Sequence, residues 1–98
     1  MLFVATCTDK PDHLPLRLET RPAHLAYLEG LGVKIRAGGA LLTPDQKTVV
    51  GSMLILEAET EAEVREWLAG DPYAKAGLFA SVDVKPWRQA AGAVKLGA

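Results

Sequence analysis

Cysteine is nearly absent from this chain. Cys7 is alone among 98 residues, which excludes an internal disulfide and a thiolate metal cage. A single thiol fits a reducing cytoplasm, and that is the compartment expected. Histidine is scarce as well. His13 and His24 give no His-x-x-x-His spacing, so no bound metal is expected. A Gly-x-x-x-x-Gly-Lys phosphate loop and a Gly-x-Ser-x-Gly elbow are both missing, so no nucleotide cofactor is expected. Neither sign of charge dominates. Lys+Arg is 11 and Asp+Glu is 12, for a net charge of −1 and a pI of about 6.1. With no basic surplus to neutralise phosphates, nucleic acid is not an expected partner. No apolar run nears the ~20 residues of a membrane span. The start, Met1-Leu2-Phe3-Val4-Ala5-Thr6-Cys7, has no basic leader, so neither a signal peptide nor a membrane partner is expected.

What is present is ordinary globular composition: 49% hydrophobic and 23% charged residues. This length suits one domain over 1–98, with a core to about Trp87 and a small-residue tail from Arg88 to Ala98. Leu2 to Thr6 or Cys7 reads as a first strand, closed by Thr8-Asp9-Lys10-Pro11-Asp12. A helix is expected from about Thr20, with Pro22 in its first turn, to Leu31, stopped by Gly32. Leu25, Leu28 and Gly32 form one stripe on it, and His24, Leu28 and Leu31 an overlapping one. A second strand spans about Val33 to Leu42, where Gly38-Gly39 suggests a bulge or a close approach. Thr43 to Lys47 turns into a third strand, Val49 to Glu57. Thr60-Glu61-Ala62-Glu63 is a capping box that opens a second helix, with Val64, Trp67 and Leu68 buried and Gly70 at its end. Asp71-Pro72 starts a short turn to Ala76. Leu78 to Pro86 or Trp87 is the last strand, with Leu78, Ala80, Val82 and Val84 on one face.

The order is therefore βαββαβ, which predicts an α+β, ferredoxin-like sandwich: an antiparallel sheet with two helices on one face. Met53, Leu54, Ile55 and Leu56 are consecutively apolar, so both faces of the third strand call for burial. Two helices cover one face only. A second copy of the chain, in a closed homodimer, is the expected cover for the other.

Few side chains carry chemistry. His24 reads either as a general acid–base, because imidazole exchanges protons near neutral pH, or as a space-filling histidine at the core edge. His13 sits in a polar loop and reads as solvated. Asp71 reads as the cap of the turn at Pro72, or as the acceptor that fixes a histidine tautomer, and the two roles are compatible. Arg17 and Arg21 are either surface residues or forked donors to a substrate carboxylate or phenolate. Ser52 and Tyr73 could orient a ligand. Cys7 is either a buried strand cysteine or a reactive thiol. The run Glu57, Glu59, Glu61, Glu63 and Glu66 reads as a solvated helix edge.

Four segments together resemble the YciI-like (YCII-related) family: Arg17 to Leu25, Gly51-Ser52, Asp71 to Leu78, and Val84 to Trp87. The resemblance implies a dimeric α+β-barrel architecture and an active site centred on a histidine and an aspartate, carried here onto His24 and Asp71. One related branch is similar to an enzyme that removes HCl from a chlorinated hydroxyhydroquinone, and muconolactone-isomerase-type proteins share the architecture. On that basis the expectation is a small cofactor-independent lyase or isomerase. It would act on a small cyclic or aromatic-type metabolite through a His24–Asp71 acid–base pair, with Arg17, Arg21, Ser52 and Tyr73 binding substrate. The alternative is a non-catalytic dimeric domain that binds a small ligand. The chain departs from the family at Gly38-Gly39-Ala40, where Gly-Pro is usual, and this bears on substrate identity more than on fold.

Overall fold

The computed structural model describes residues 1–97. Four strands run in chain order: β1 (Leu2–Asp9), β2 (Ile35–Leu42), β3 (Val49–Glu57) and β4 (Phe79–Trp87). Three α-helices separate them: α1 (Leu14–Leu31), α2 (Glu61–Gly70) and the single turn α3 (Pro72–Lys75). The sheet order is β2-β3-β1-β4, and every neighbouring pair is antiparallel. This is the ferredoxin-like arrangement expected from the element order, with each long helix crossing from one strand of the sheet to another.

The register sorts the side chains onto two faces. Phe3 pairs with Leu56, Ala5 with Leu54 and Cys7 with Ser52, while Ala5 pairs with Val84 on the other side of β1. Directly paired residues share a face. Phe3, Ala5, Cys7, Leu54, Leu56 and Val84 therefore line one face, and Val64 and Leu68 of α2 close the core against them. Leu28 of α1 packs on the same cluster, so both long helices cover this face. The opposite face carries Val4, Thr6, Met53 and Ile55, and Met53 is 37% exposed.

Helix α1 is longer than the sequence suggests. It begins at Leu14 rather than near Thr20, with Pro15 in its first turn and Pro22 inside it. The helix survives Pro22 because the hydrogen bond lost there belongs to the carbonyl of Leu18, and Leu18 is an exposed residue that water can serve. Leu25 is also exposed. The inward stripe of α1 is Arg17, His24 and Leu28, polar for two of its three members. The helix stops at Gly32, whose φ of 57° is readily available to glycine and whose N–H reaches the carbonyls of Glu29 and Leu28.

Other boundaries shift for local reasons. A 3₁₀ turn over Gly32–Lys34 delays β2 to Ile35. The register shifts in β2 flank Arg36 and the Leu41–Leu42 step rather than falling on the glycines. Close approach holds at Gly38, where a Cβ would lie 2.5 Å from Leu54 Cδ2, and not at Gly39. Ala80 is exposed because β4 bulges there, Thr8 facing Ser81 and Asp9 facing Phe79. At α2 the Glu63 N–H donates to Thr60 Oγ1 at 3.2 Å. The return bond of a full capping box is absent among the described residues.

Beyond Trp87 the tail forms neither helix nor strand through Gly97; Ala98 lies outside the described residues. Gln89 staples it. Its Nε2 donates to the carbonyls of Ala91 and Val94, and its Oε1 accepts from Leu96 N. Among the described residues no helix is long and apolar enough to cross a membrane.

Two glycines give opposite expectations. A Cβ on Gly51 would run into the backbone carbonyl of Cys7, whereas one on Gly30 would meet nothing within 4 Å. Gly51→Ala should lower unfolding free energy by about 1–3 kcal/mol through backbone displacement. Gly30→Ala should raise it by up to about 1 kcal/mol through helix propensity. Urea titration of both variants reads the two signs directly.

Candidate functional site

The site is assembled where the first three turns of α1 meet the junction of α2 and α3. Asp71 is the residue between those helices, and its backbone is extended, with φ −64° and ψ 131°. From there its carboxylate does two things. Oδ1 accepts the Tyr73 backbone N–H at 2.9 Å, capping α3. Both oxygens also lie 2.8 Å from His24 Nδ1. A carboxylate only accepts hydrogen bonds, so Nδ1 must carry the proton and donate it. In the neutral imidazole, Nε2 is then the nitrogen with the lone pair. His24 and Asp71 are 7% and 2% exposed.

The cap also positions Tyr73. Its ring stacks on the His24 imidazole at 3.9 Å between centroids and 16° between planes, and meets Phe79 edge-on at 6.1 Å. The guanidinium of Arg17 lies 4.6 Å from the centroid of the same ring. Arg17 and His24 are seven residues apart, two turns of α1, and the phenol ring spans the distance between them. Burial raises the Tyr73 phenol above its usual value, while Arg17 and Arg21 pull it back. It remains protonated at neutral pH.

Arg17 turns inward, and its partner is one the sequence did not disclose. Asp9, the last residue of β1, accepts from Arg17 Nε at 2.7 Å and from Nη2 at 3.0 Å. Nη2 also donates to Ser52 Oγ at 2.7 Å. Both members of the Asp9–Arg17 pair are more than nine-tenths buried. Burial works against the Arg17 charge, but the hydrogen bonds and charge of Asp9 outweigh it and raise the guanidinium pKa. The forked edge expected to hold a substrate carboxylate is thus already occupied by Asp9. No local signal marks Asp9. It is one of several polar residues that close β1, and its role appears only when β1 is laid beneath the first turn of α1.

His24 Nε2 has no hydrogen-bond partner among the described residues, whereas the Tyr73 hydroxyl has the Arg17 guanidinium as its hydrogen-bonding neighbour. Among the described residues, the one buried polar side-chain atom both sealed and unpartnered is Arg36 Nε. His24 Nε2 therefore keeps a little contact with solvent, in a residue that is 7% exposed, while Tyr73 is buried at 1%. Arg21, one turn along from Arg17, is exposed and acts on the Tyr73 phenol through its charge. His13 stays apart, Nδ1 at 2.7 Å from the Pro11 carbonyl. A cavity of about 770 Å³ lies elsewhere, between the tail and the Met1, Leu2, Glu57 and Trp87 end of the sheet. Among the described residues no group of three or more His, Cys, Asp or Glu side chains gathers as a metal cage.

The YCII-related domain matches residues 1–88. The chain belongs to the YCII-related family. Protein YciI of Escherichia coli is 37% identical over 91% of this chain and 98% of its own length. An uncharacterised protein of Haemophilus influenzae is 33% identical over the same shares. Among solved structures, 5-chloro-2-hydroxyhydroquinone dehydrochlorinase (TftG) from Burkholderia phenoliruptrix, in complex with 2,5-dihydroxybenzoquinone, superposes with a TM-score of 0.84. It is 44% identical, covering 92% of this chain and 96% of that one. Within this YCII-related chain, the Gly38-Gly39-Ala40 segment borders the site, since Ala40 pairs with Ser52.

Cys7 is the floor of the site rather than a reagent. It is 1% exposed. Burial, with Asp71 and Asp9 adding to it and Arg17 opposing, pushes its thiol up from 9.0 to about 11. That overturns the reading of Cys7 as a reactive thiol. The unfolded chain releases this proton near pH 9 and the folded chain near pH 11. Between these values the folded state holds more protons, so stability falls as pH rises. Urea midpoints measured from neutral pH to about pH 11 should fall more steeply in the native chain than in Cys7→Ala. Equal slopes would contradict the raised thiol pKa.

Proposed function

We propose that this YCII-related protein is a small lyase that removes H–X, with X a leaving group such as halide, from a hydroxylated six-membered ring. The observation that carries this reading is the His24–Asp71 pair, with Nδ1 committed to the carboxylate and Nε2 unpartnered and in contact with solvent. The dehydrochlorinase activity in the name of the similar Burkholderia protein supports the reaction class.

In this mechanism His24 Nε2 takes a proton from carbon or hydroxyl of the substrate. The electron pair released forms the new double bond, and X leaves with the pair of the C–X bond. No electrons are gained or lost overall, and the proton is returned to water from Nε2. Asp71 holds the tautomer that keeps Nε2 basic and stabilises the imidazolium that forms. Arg17 Nη1 and Arg21 meet negative charge that develops on a ring oxygen, in a site where buried dipoles and charges are preorganised. Tyr73 holds the His24 imidazole in place by stacking on it. Ser52 acts by holding Arg17.

The reading includes a homodimer closed through the open sheet face, because the half-buried Val4 and the exposed Met53 lie on the face opposite the helices. Light scattering should return twice the 10.5 kDa chain mass. Met53→Glu should shift the mass toward the monomer, and a native monomer would remove this part of the reading.

Activity is tested by chloride release from 5-chloro-2-hydroxyhydroquinone. His24→Ala should lower kcat by about 10²–10⁴, the usual contribution of a positioned acid–base. Asp71→Asn should lower it by a comparable factor, about 10⁴ being the loss from the equivalent change in a serine-protease triad. Full rate in His24→Ala would refute the assignment. Recovery of the ring compound unchanged from the native chain would favour a ligand-binding domain instead.

A further inference from the structure

Arginine has five N–H donors and two ways of forking a carboxylate, one through Nε and Nη2 and one through Nη1 and Nη2. In this chain both forks are closed. Asp9 takes Nε–H and one Nη2 hydrogen, and Ser52 Oγ takes the other. What remains is the Nη1 amino group, on a guanidinium fixed against the Tyr73 ring and beside its hydroxyl. Asp9 lies on the same sheet face as Cys7 and Ser52, directly beneath α1. Its charge offsets that of Arg17, leaving Arg21 as the nearby cation without an acidic partner among the described residues.

We propose that Asp9 is a positioning residue that sets ligand selectivity, restricting Arg17 to a single anionic oxygen, a phenolate or enolate, and excluding the two-oxygen grip of a carboxylate. This rests on the reading of the site as one for hydroxylated rings and refines it. A ring oxygen that ionises or gathers charge as H–X departs finds one aimed donor group at Nη1 and the basic His24 Nε2 across the Tyr73 ring. A carboxylate offered to the same place leaves one oxygen without a charged partner, and a buried acceptor left unpaired is costly.

The test is calorimetric titration of the full chain with 4-nitrophenolate and 4-nitrobenzoate in mildly alkaline buffer. These share a ring and differ in presenting one anionic oxygen or two. The native chain should bind the phenolate about tenfold more tightly, the factor expected for one charged hydrogen bond unmade. Asp9→Asn, which offers one acceptor where the carboxylate offers two, should free part of the fork, raise carboxylate affinity and bring the ratio toward one. Ser52→Ala opens the Nη2 hydrogen of the Nη1/Nη2 fork and should move the ratio the same way; it also serves if Asp9→Asn does not fold. A merely structural Asp9 would weaken both ligands together and leave their ratio unchanged, and that result overturns the proposal. So does a native chain that fails to prefer the phenolate. The comparison is independent of turnover. Native selectivity without chloride release supports the role of Asp9 and counts against the lyase reading alone.

Discussion

The carboxylate of Asp71 is the point through which the site is organised. It sits at a break between two helices, and its two oxygens bind groups from both sides of the break. The Tyr73 N–H fixes the start of α3, and the His24 imidazole ties that turn to α1. The stacking of Tyr73 on His24 follows from these two bonds acting together. A helix cap is worth about 1 kcal/mol, while burying an unpaired carboxylate costs several. The donors offset that cost, so the pair specifies geometry more than it adds stability. The same arrangement fixes which imidazole nitrogen is left free.

A second buried ion pair lies two turns away and is built on the same logic. Asp9 and Ser52 use three of the five donors of Arg17, and Tyr73 bridges from the guanidinium to the imidazole. Helix α1 accordingly turns Arg17 and His24 inward and leaves Leu18 and Leu25 exposed. That inversion is unfavourable for burial of apolar area. It is tolerated because each buried polar group is met by a partner from the sheet or from α3. The open sheet face and the His24–Asp71 group lie on opposite sides of the same four strands.

The fold was legible because its signals are local. Alternating apolar strands, the Gly32 stop, the Thr60 cap and the Asp71-Pro72 start all act within a few residues, and together they fix the element order. His24, Asp71, Tyr73, Arg17 and Ser52 were each legible as candidates. Their contacts were not, since His24 and Asp71 are 47 residues apart. The start of α1 was misplaced because Pro22 carries a strong start signal, while the segment from Leu14 is held in the helix by the anchoring of Arg17. Asp9 was missed for the same reason: an aspartate at a strand end is common, and only the packing of α1 over β1 gives it a partner. The expected apolar stripe through Leu25 failed because periodicity assigns apolar residues inward, and here charged pairs took that place.

The central claim is that Asp71 holds His24 with the proton on Nδ1 and the lone pair on Nε2. The most direct measurement is the long-range ¹H–¹⁵N spectrum of the histidine rings, recorded in alkaline buffer where imidazoles are neutral, on the native chain and on Asp71→Asn. The expected result is a pure Nδ1–H tautomer for His24 in the native chain, lost in Asp71→Asn, while His13 keeps its signals. A His24 ring that is Nε2–H, or that averages both tautomers alike in the two proteins, would contradict it.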